Sequence, residues 1–236
     1  MKVLVAESLD LEPTAMLRFF NNPPRNKVSL LKYPEPTPVS NGISNGTNGL
    51  NNANGAHAED EFQGVGCHKD GGFLTFLLQA TPHAGLEAQN KAGAWIPVPP
   101  IPGTFVVNVG RSLESMTGGV CTATTHRVNL SAKKFFDTQG RSLGPRYSFP
   151  VFQTLKLDLN AAELLSLKAK LPRHITELAK DEKVKSDAEA YFAKYHLESP
   201  GIGIFTARLT SHPDVGWRWY PELMDRILLG QKEFRG

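Results

Sequence analysis

The chain has 236 residues, 40% of them apolar and 21% charged, with a formal net charge of +3. That length supports one sizeable domain, and Lys and Arg scattered without interleaved aromatics argue against an obligatory nucleic-acid partner. The apolar run Val3 to Ala6 is too short for a signal-peptide core or a membrane span. Two cysteines, Cys67 and Cys121, make no disulfide framework, so a cytoplasmic setting without a membrane is expected.

Residues 8–22 read as a helix, with Leu17 and Phe20 on one face and Asn-Asn-Pro-Pro as the stop. "KVSLLKY" (27–33) alternates weakly and reads as one strand. A composition break follows: ten of the seventeen residues 40–56 are Asn or Gly, which buries nothing and predicts a mobile insertion over about 40–60. From 64 to 152 short apolar runs are punctuated by Gly and Pro: 72–79, 85–89, 94–98, 104–110, 121–128 and 146–152, with a hairpin turn at Asn90 to Gly93. No helix is predicted between them that could make a parallel crossover, so the fold class is mainly β, an antiparallel sandwich or jelly roll. The last third turns helical. Residues 160–171 open with a capping-box pattern, Asn160 and Glu163, and 186–197 with Ser186 and Glu189. The tail mixes a Pro-containing turn with a short amphipathic helix, and Trp217, Trp219 and Tyr220 are expected to pack on the body. The expected division is a short helical lead (1–26), a β core (27–157) and a C-terminal helical extension (158–236).

Several motif matches carry little chemistry. "GRSLG" (140–144) fits the Gly-x-Ser-x-Gly pattern but lacks the strand before and the helix after, so Ser142 reads as a loop serine. A zinc site from Cys67, His68, Cys121 and His126 is disfavoured, because adjacent residues on an extended segment point to opposite faces.

"GVGCHKDGG" (64–72) is more informative. If extended, it projects His68 and Asp70 from one face while Lys69 points away. His126, on a later strand, is the best third ligand. Two imidazoles and one carboxylate on one face leave open positions, the arrangement that suits non-haem Fe(II) and oxygen. Arg146 and Ser148 are again i and i+2. Inside a small barrel a guanidinium needs an anion, ideally a carboxylate held bidentately. Taken alone, Arg146 would sooner pair with a surface Asp or Glu. Beside a metal site it points to a substrate that carries one carboxylate and chelates with a 2-oxo acid, the shape of 2-oxoglutarate.

His68-x-Asp70, His126 and Arg146-x-Ser148 occur in the order of the Fe(II)/2-oxoglutarate-dependent dioxygenases, and the chain resembles the branch containing isopenicillin N synthase. The segments 85–110 and 118–128 are similar to that branch's central segment and to the stretch around its distal histidine. The resemblance implies a double-stranded β-helix (jelly roll) core, iron on His68, Asp70 and His126, and 2-oxoglutarate held by Arg146 and Ser148, with a hydrogen bond from Tyr33. It implies oxidation of a small organic substrate by O2, with 2-oxoglutarate converted to succinate and ascorbate as a supporting reductant. Leu31 stands where the family usually has Asn, Arg111 where many relatives have Asp, and only about two dozen residues precede "KVSLLKY". That short lead reads as an N-terminal truncation. The alternative expectation is a catalytically silent relative that acts as a binding or regulatory protein.

Overall fold

The computed structural model describes residues 1–36, 61–195 and 199–233; the predicted insertion at 40–60 lies outside them. Two antiparallel sheets form the centre. One contains β1 (Asn26–Val28), β2 (Leu31–Tyr33), β4 (Leu74–Gln79), β7 (Val106–Val109) and β9 (Arg146–Gln153), ordered β1-β9-β4-β7 with β2 also on β9. The other runs β3 (Glu61–His68), β8 (His126–Ser131), β5 (Leu86–Gln89), β6 (Trp95–Pro97) in the order β3-β8-β5-β6.

The facing sides follow the two-residue period. His126, Val128 and Leu130 of β8 are buried, as are Arg146, Ser148 and Pro150 of β9. Between the sheets Tyr33, Leu86, Val128, Leu130 and Phe135 form one apolar cluster, with Leu77 and Val106 packed against it. This is the expected jelly-roll core with flanking helices.

A second, larger cluster lies on the other side of the β4 sheet. It joins Phe73 and Leu74 to Ala6 and Leu9 near the N-terminus, Leu113 and Met116 of α2 (Arg111–Met116), and Leu164 and Leu167 of α3 (Ala161–Lys168). Helices α4 (Arg173–Thr176), α5 (Glu182–Tyr195), α6 (Pro200–Ser211), α7 (Pro213–Trp219) and α8 (Pro221–Glu233) complete the C-terminal third. Among the described residues no helix is long and apolar enough to cross a membrane.

Several elements differ from the sequence reading. The N-terminal helix, α1, is Lys2–Ser8 and not 8–22. Asp10 turns the chain at φ 53°, and Pro13 cannot continue a helix, so only a 3-10 turn at Leu17–Phe19 follows. The strand expected over 27–33 is split in two. Pro150 of β9 accepts from the Ser29 N–H but has none to return, which interrupts the ladder there.

The strand expected over 121–128 starts only at His126. The preceding backbone is tied to α2 instead: Cys121 N–H donates to Thr117 Oγ1 (3.1 Å) and Ala123 N–H to Glu114 Oε1 (2.9 Å). Helix α2 itself, between β7 and β8, was not expected. The Asn160–Glu163 capping box forms with both hydrogen bonds, whereas α5 begins at Glu182 and leaves Ser186 inside it. Trp217, Trp219 and Tyr220 are 45%, 65% and 44% exposed, and the Tyr220 ring meets Phe205 of α6 edge-on at 5.0 Å. The predicted hairpin turn is present: Asn90 Oδ1 accepts from Ala92 and Ala94, and Gly93 takes φ +84°.

Candidate metal centre and anion pocket

His68 ends β3, His126 begins β8, and the two are register partners across the antiparallel pair. Their rings lie 4.3 Å apart, centroid to centroid. Asp70 sits two residues beyond β3, in the connection to β4. It is held there by Arg111 N–H, which donates to its carbonyl (2.7 Å), and by Asn108 Nδ2, which donates to its Oδ2 (3.4 Å).

Asp70 Oδ1 is 3.6 Å from Nε2 of each histidine. All three ligand atoms lie within 4.8 Å of one another, and this trio is the one group of three or more such side chains among the described residues that could hold a metal ion. His68 Nδ1 is 2.7 Å from the Gly66 carbonyl and His126 Nδ1 3.0 Å from that of Thr124. A carbonyl only accepts, so each Nδ1 carries the hydrogen and each Nε2 offers its lone pair toward Asp70. Backbone carbonyls thus fix tautomer and ring orientation, as at metal-bound histidines. Two imidazoles and one carboxylate so arranged fit an iron site.

The electrostatics agree. Once protonated at Nε2 as well, His68 donates to Asp70, which raises the His68 pKa against the opposing effect of burial. Burial is the largest single influence on Asp70 and pushes its pKa up, yet the hydrogen bond with His68 and the charge of His126 bring it below the ordinary value. The pocket therefore favours a carboxylate next to something positive. Neither cysteine belongs to the cluster; Cys67 is exposed and Cys121 partly buried. Ser142 lies in a loop and donates to Glu35 Oε2 (2.8 Å).

Arg146 is 1% exposed, Ser148 2% and Tyr33 7%. Tyr33 and Arg146 are register partners, and the guanidinium carbon stands 4.8 Å from the Tyr33 ring centre. Arg146 Nη1 reaches Ser148 Oγ at 3.5 Å, while its Nη2 is buried without a hydrogen-bond partner. Among the described residues no carboxylate forms an ion pair with it. Burial accordingly lowers the guanidinium pKa, with Tyr33 acting the other way. The surface ion pair that Arg146 would make by itself is absent. Leu31, where the family usually has Asn, pairs with Ser148 and packs on the inter-sheet cluster.

Two residues near these sites, Glu114 and His83, escaped the sequence reading. Glu114 on α2 is fully buried and accepts from Lys69 Nζ (3.2 Å), Arg111 Nη1 (2.7 Å) and Ala123 N–H. It ties the His-Lys-Asp loop to the approach to His126. Lys69 joins this network. The signal was the i, i+3 pair Arg111–Glu114, legible only once α2 is a helix. His83, fully buried, has Nε2 2.9 Å from the Gly144 carbonyl and Nδ1 unpartnered.

The fold and the trio define a jelly-roll protein with a candidate two-histidine, one-carboxylate metal site. A family model described as the 2OG-Fe(II) oxygenase superfamily matches residues 47–154. The chain is 41% identical over 221 residues to a 2-oxoglutarate-dependent dioxygenase of Gibberella zeae, which covers 94% of this chain and 53% of that protein. It is 35% identical over 231 residues to the 2-oxoglutarate-dependent dioxygenase frbJ of a Dothideomycetidae species, covering 95% and 55%. The chain belongs to the 2OG-Fe(II) oxygenase superfamily. It spans about half the length of these curated relatives. Among solved structures it is similar to a full-length Neurospora crassa protein in complex with alpha-KG and thymine, at 21% identity and TM-score 0.48, covering 67% of this chain and 41% of that one.

Proposed function

We propose that the chain carries the catalytic domain of an Fe(II)/2-oxoglutarate-dependent dioxygenase that oxidises a small organic molecule. The observation that carries this is the guanidinium of Arg146, buried between the sheets with an unpartnered Nη2 and no carboxylate paired to it among the described residues. A buried charge without its counter-ion costs several kcal/mol, so the pocket is built for an incoming anion. His68, Asp70 and His126 would hold the iron, Arg146 and Ser148 the distal carboxylate of 2-oxoglutarate, and Tyr33 would add a hydrogen bond. Bound there, Fe(II) and 2-oxoglutarate supply the oxidation by O2, with succinate and CO2 as co-products.

The residues of the chain have separable tasks. The Gly66 and Thr124 carbonyls fix both rings so that each Nε2 would be free to ligate the metal. Asp70 would supply the anionic ligand, and its pKa lies below the ordinary value next to protonated His68 and His126. Arg146 and Ser148 orient the oxo acid, and the surrounding Tyr33, Leu130 and Phe135 exclude water. A catalytically silent binding protein is not favoured, because the ligand trio and the anion pocket are both intact.

We also infer that residues 27–157 form the catalytic unit, with 1–26 as a lead and 158–236 as a helical extension. Two unpaired cysteines support a reducing, cytoplasmic setting, and the isopenicillin N synthase-like branch rests on the motif resemblance. The test is succinate release from 2-oxoglutarate with Fe(II), O2 and ascorbate. Turnover abolished by His68→Ala and Asp70→Ala supports the reading; wild-type protein that binds neither metal nor 2-oxoglutarate overturns it.

A further inference from the structure

A cavity of about 550 Å³ opens beside the candidate iron site, and its wall includes His68, Lys69, Gly71, Arg111, Thr125 and Tyr191. That volume lies within the range of small-molecule sites. Among the described residues no carboxylate lines it. Glu114 lies fully buried, with Lys69 and Arg111 as its two ion-pair partners. Within this network two cations stand against one carboxylate, a surplus of one positive charge; the nearby Asp70 carboxylate is counted with the metal that it would hold.

The donors are also under-used. Arg111 gives one N–H to Glu114 and one to the Asp187 carbonyl (3.0 Å), of the five that a guanidinium carries. Lys69 gives one of three to Glu114. Both are held in place: the Arg111 guanidinium lies 4.6 Å from the Tyr191 ring centre, and the Tyr191 hydroxyl donates to the Gly71 carbonyl (3.1 Å). Side chains fixed in advance lose little freedom when a ligand arrives. Beside them, the Tyr191 ring and Ala190 offer an apolar surface.

We propose that this cavity receives the primary substrate, and that the substrate is a small organic monocarboxylate whose apolar body rests on Tyr191 while its carboxylate is held by Lys69 and Arg111. A single surplus charge suits a monoanion rather than a phosphate. Arg111 then becomes a specificity determinant. The proposal deepens the dioxygenase reading and rests on it.

Isothermal titration tests it in two stages, on the whole chain under anaerobic conditions. Mn(II) and 2-oxoglutarate are titrated first; if neither binds, the dioxygenase reading and this proposal fall together. The loaded protein is then titrated with 3-phenylpropanoate against 3-phenylpropanamide and hexanoate against hexanamide. The acids are expected to bind at least tenfold more tightly than the amides. Lys69→Gln and Arg111→Gln should each remove most of that preference while 2-oxoglutarate still binds, and Arg111→Lys should retain part of it. Equal affinity for acid and amide, no binding of either, or a preference that survives in both Gln variants overturns the assignment and leaves the dioxygenase reading standing.

Discussion

Replacing Arg146 with Met separates a ligand-binding arginine from a structural one. The side chain is 1% exposed, reaches Ser148 Oγ only at 3.5 Å, and leaves Nη2 unpartnered. A bidentate carboxylate would gain two charge-assisted hydrogen bonds at about 1.5–3 kcal/mol each. Losing both removes roughly 3–6 kcal/mol, or about 10²- to 10⁴-fold in the affinity for 2-oxoglutarate. Ligand-free stability should respond differently. Taking one partner from a buried ion pair costs about 3–5 kcal/mol, whereas removing a buried charge that has no counter-ion is neutral or stabilising. Urea denaturation of Arg146→Met without ligand should therefore match or exceed wild type. A saturating oxo acid at about 100 times its Kd should stabilise wild type by about 2.7 kcal/mol and the variant hardly at all. A variant destabilised by about 3 kcal/mol or more that still binds 2-oxoglutarate normally would refute the argument.

Metal binding should strengthen with pH. His68 must be neutral to ligate, and its hydrogen bond with Asp70 raises its pKa above the ordinary 6.5, so Mn(II) affinity should climb up to about tenfold per unit until that pKa is passed. A flat profile between about pH 6 and pH 8 would contradict this. His83 gives the opposite sign in folding. Burial, followed by the charge of Arg146, lowers its pKa below 6.5; the unfolded chain then takes up a proton that the fold refuses, and stability falls as pH drops below about 6.5. His83→Gln should flatten that limb in urea titrations, and an unchanged slope would assign it to other groups. Glu114→Gln leaves Lys69 and Arg111 without their shared counter-ion and should cost about 3–5 kcal/mol, read by denaturant midpoint; a loss below about 1 kcal/mol would make the network a surface pair. A Cβ on Gly110 would stand 2.0 Å from the Gly72 carbonyl oxygen, so Gly110→Ala should destabilise by about 1–3 kcal/mol or more and weaken metal binding through the adjoining Asp70 loop. Wild-type stability there would disprove the close approach.

The ligand trio was legible because its signal is local and chemical: His68 and Asp70 lie two apart, and His126 and Arg146 fall on later strands. The sheet was legible because its alternation has a period of two, as in β8 and β9. What could not be read depended on tertiary contacts. The short helix α2 has six residues, too few for periodicity to show, and without it neither the burial of Glu114 nor its pairing with Lys69 could be deduced. Residues 121–125 read as strand because three of the five are Thr, which favours one, but the side chains of Thr117 and Glu114 take the N–H groups of Cys121 and Ala123. The exposed Trp217 and Trp219 show the limit of composition: aromatic content does not say which face of a helix meets the core.

The central claim is that one chain brings a metal trio and an anion pocket into the same barrel. It is tested most directly by a crystal structure of the protein grown anaerobically with Fe(II) and 2-oxoglutarate. An anomalous iron peak is expected within coordination distance of His68 Nε2, Asp70 Oδ1 and His126 Nε2, with a carboxylate of the oxo acid against the Arg146 guanidinium and Ser148 Oγ. Iron bound elsewhere, or an oxo acid that leaves Nη2 of Arg146 unpartnered, would contradict it.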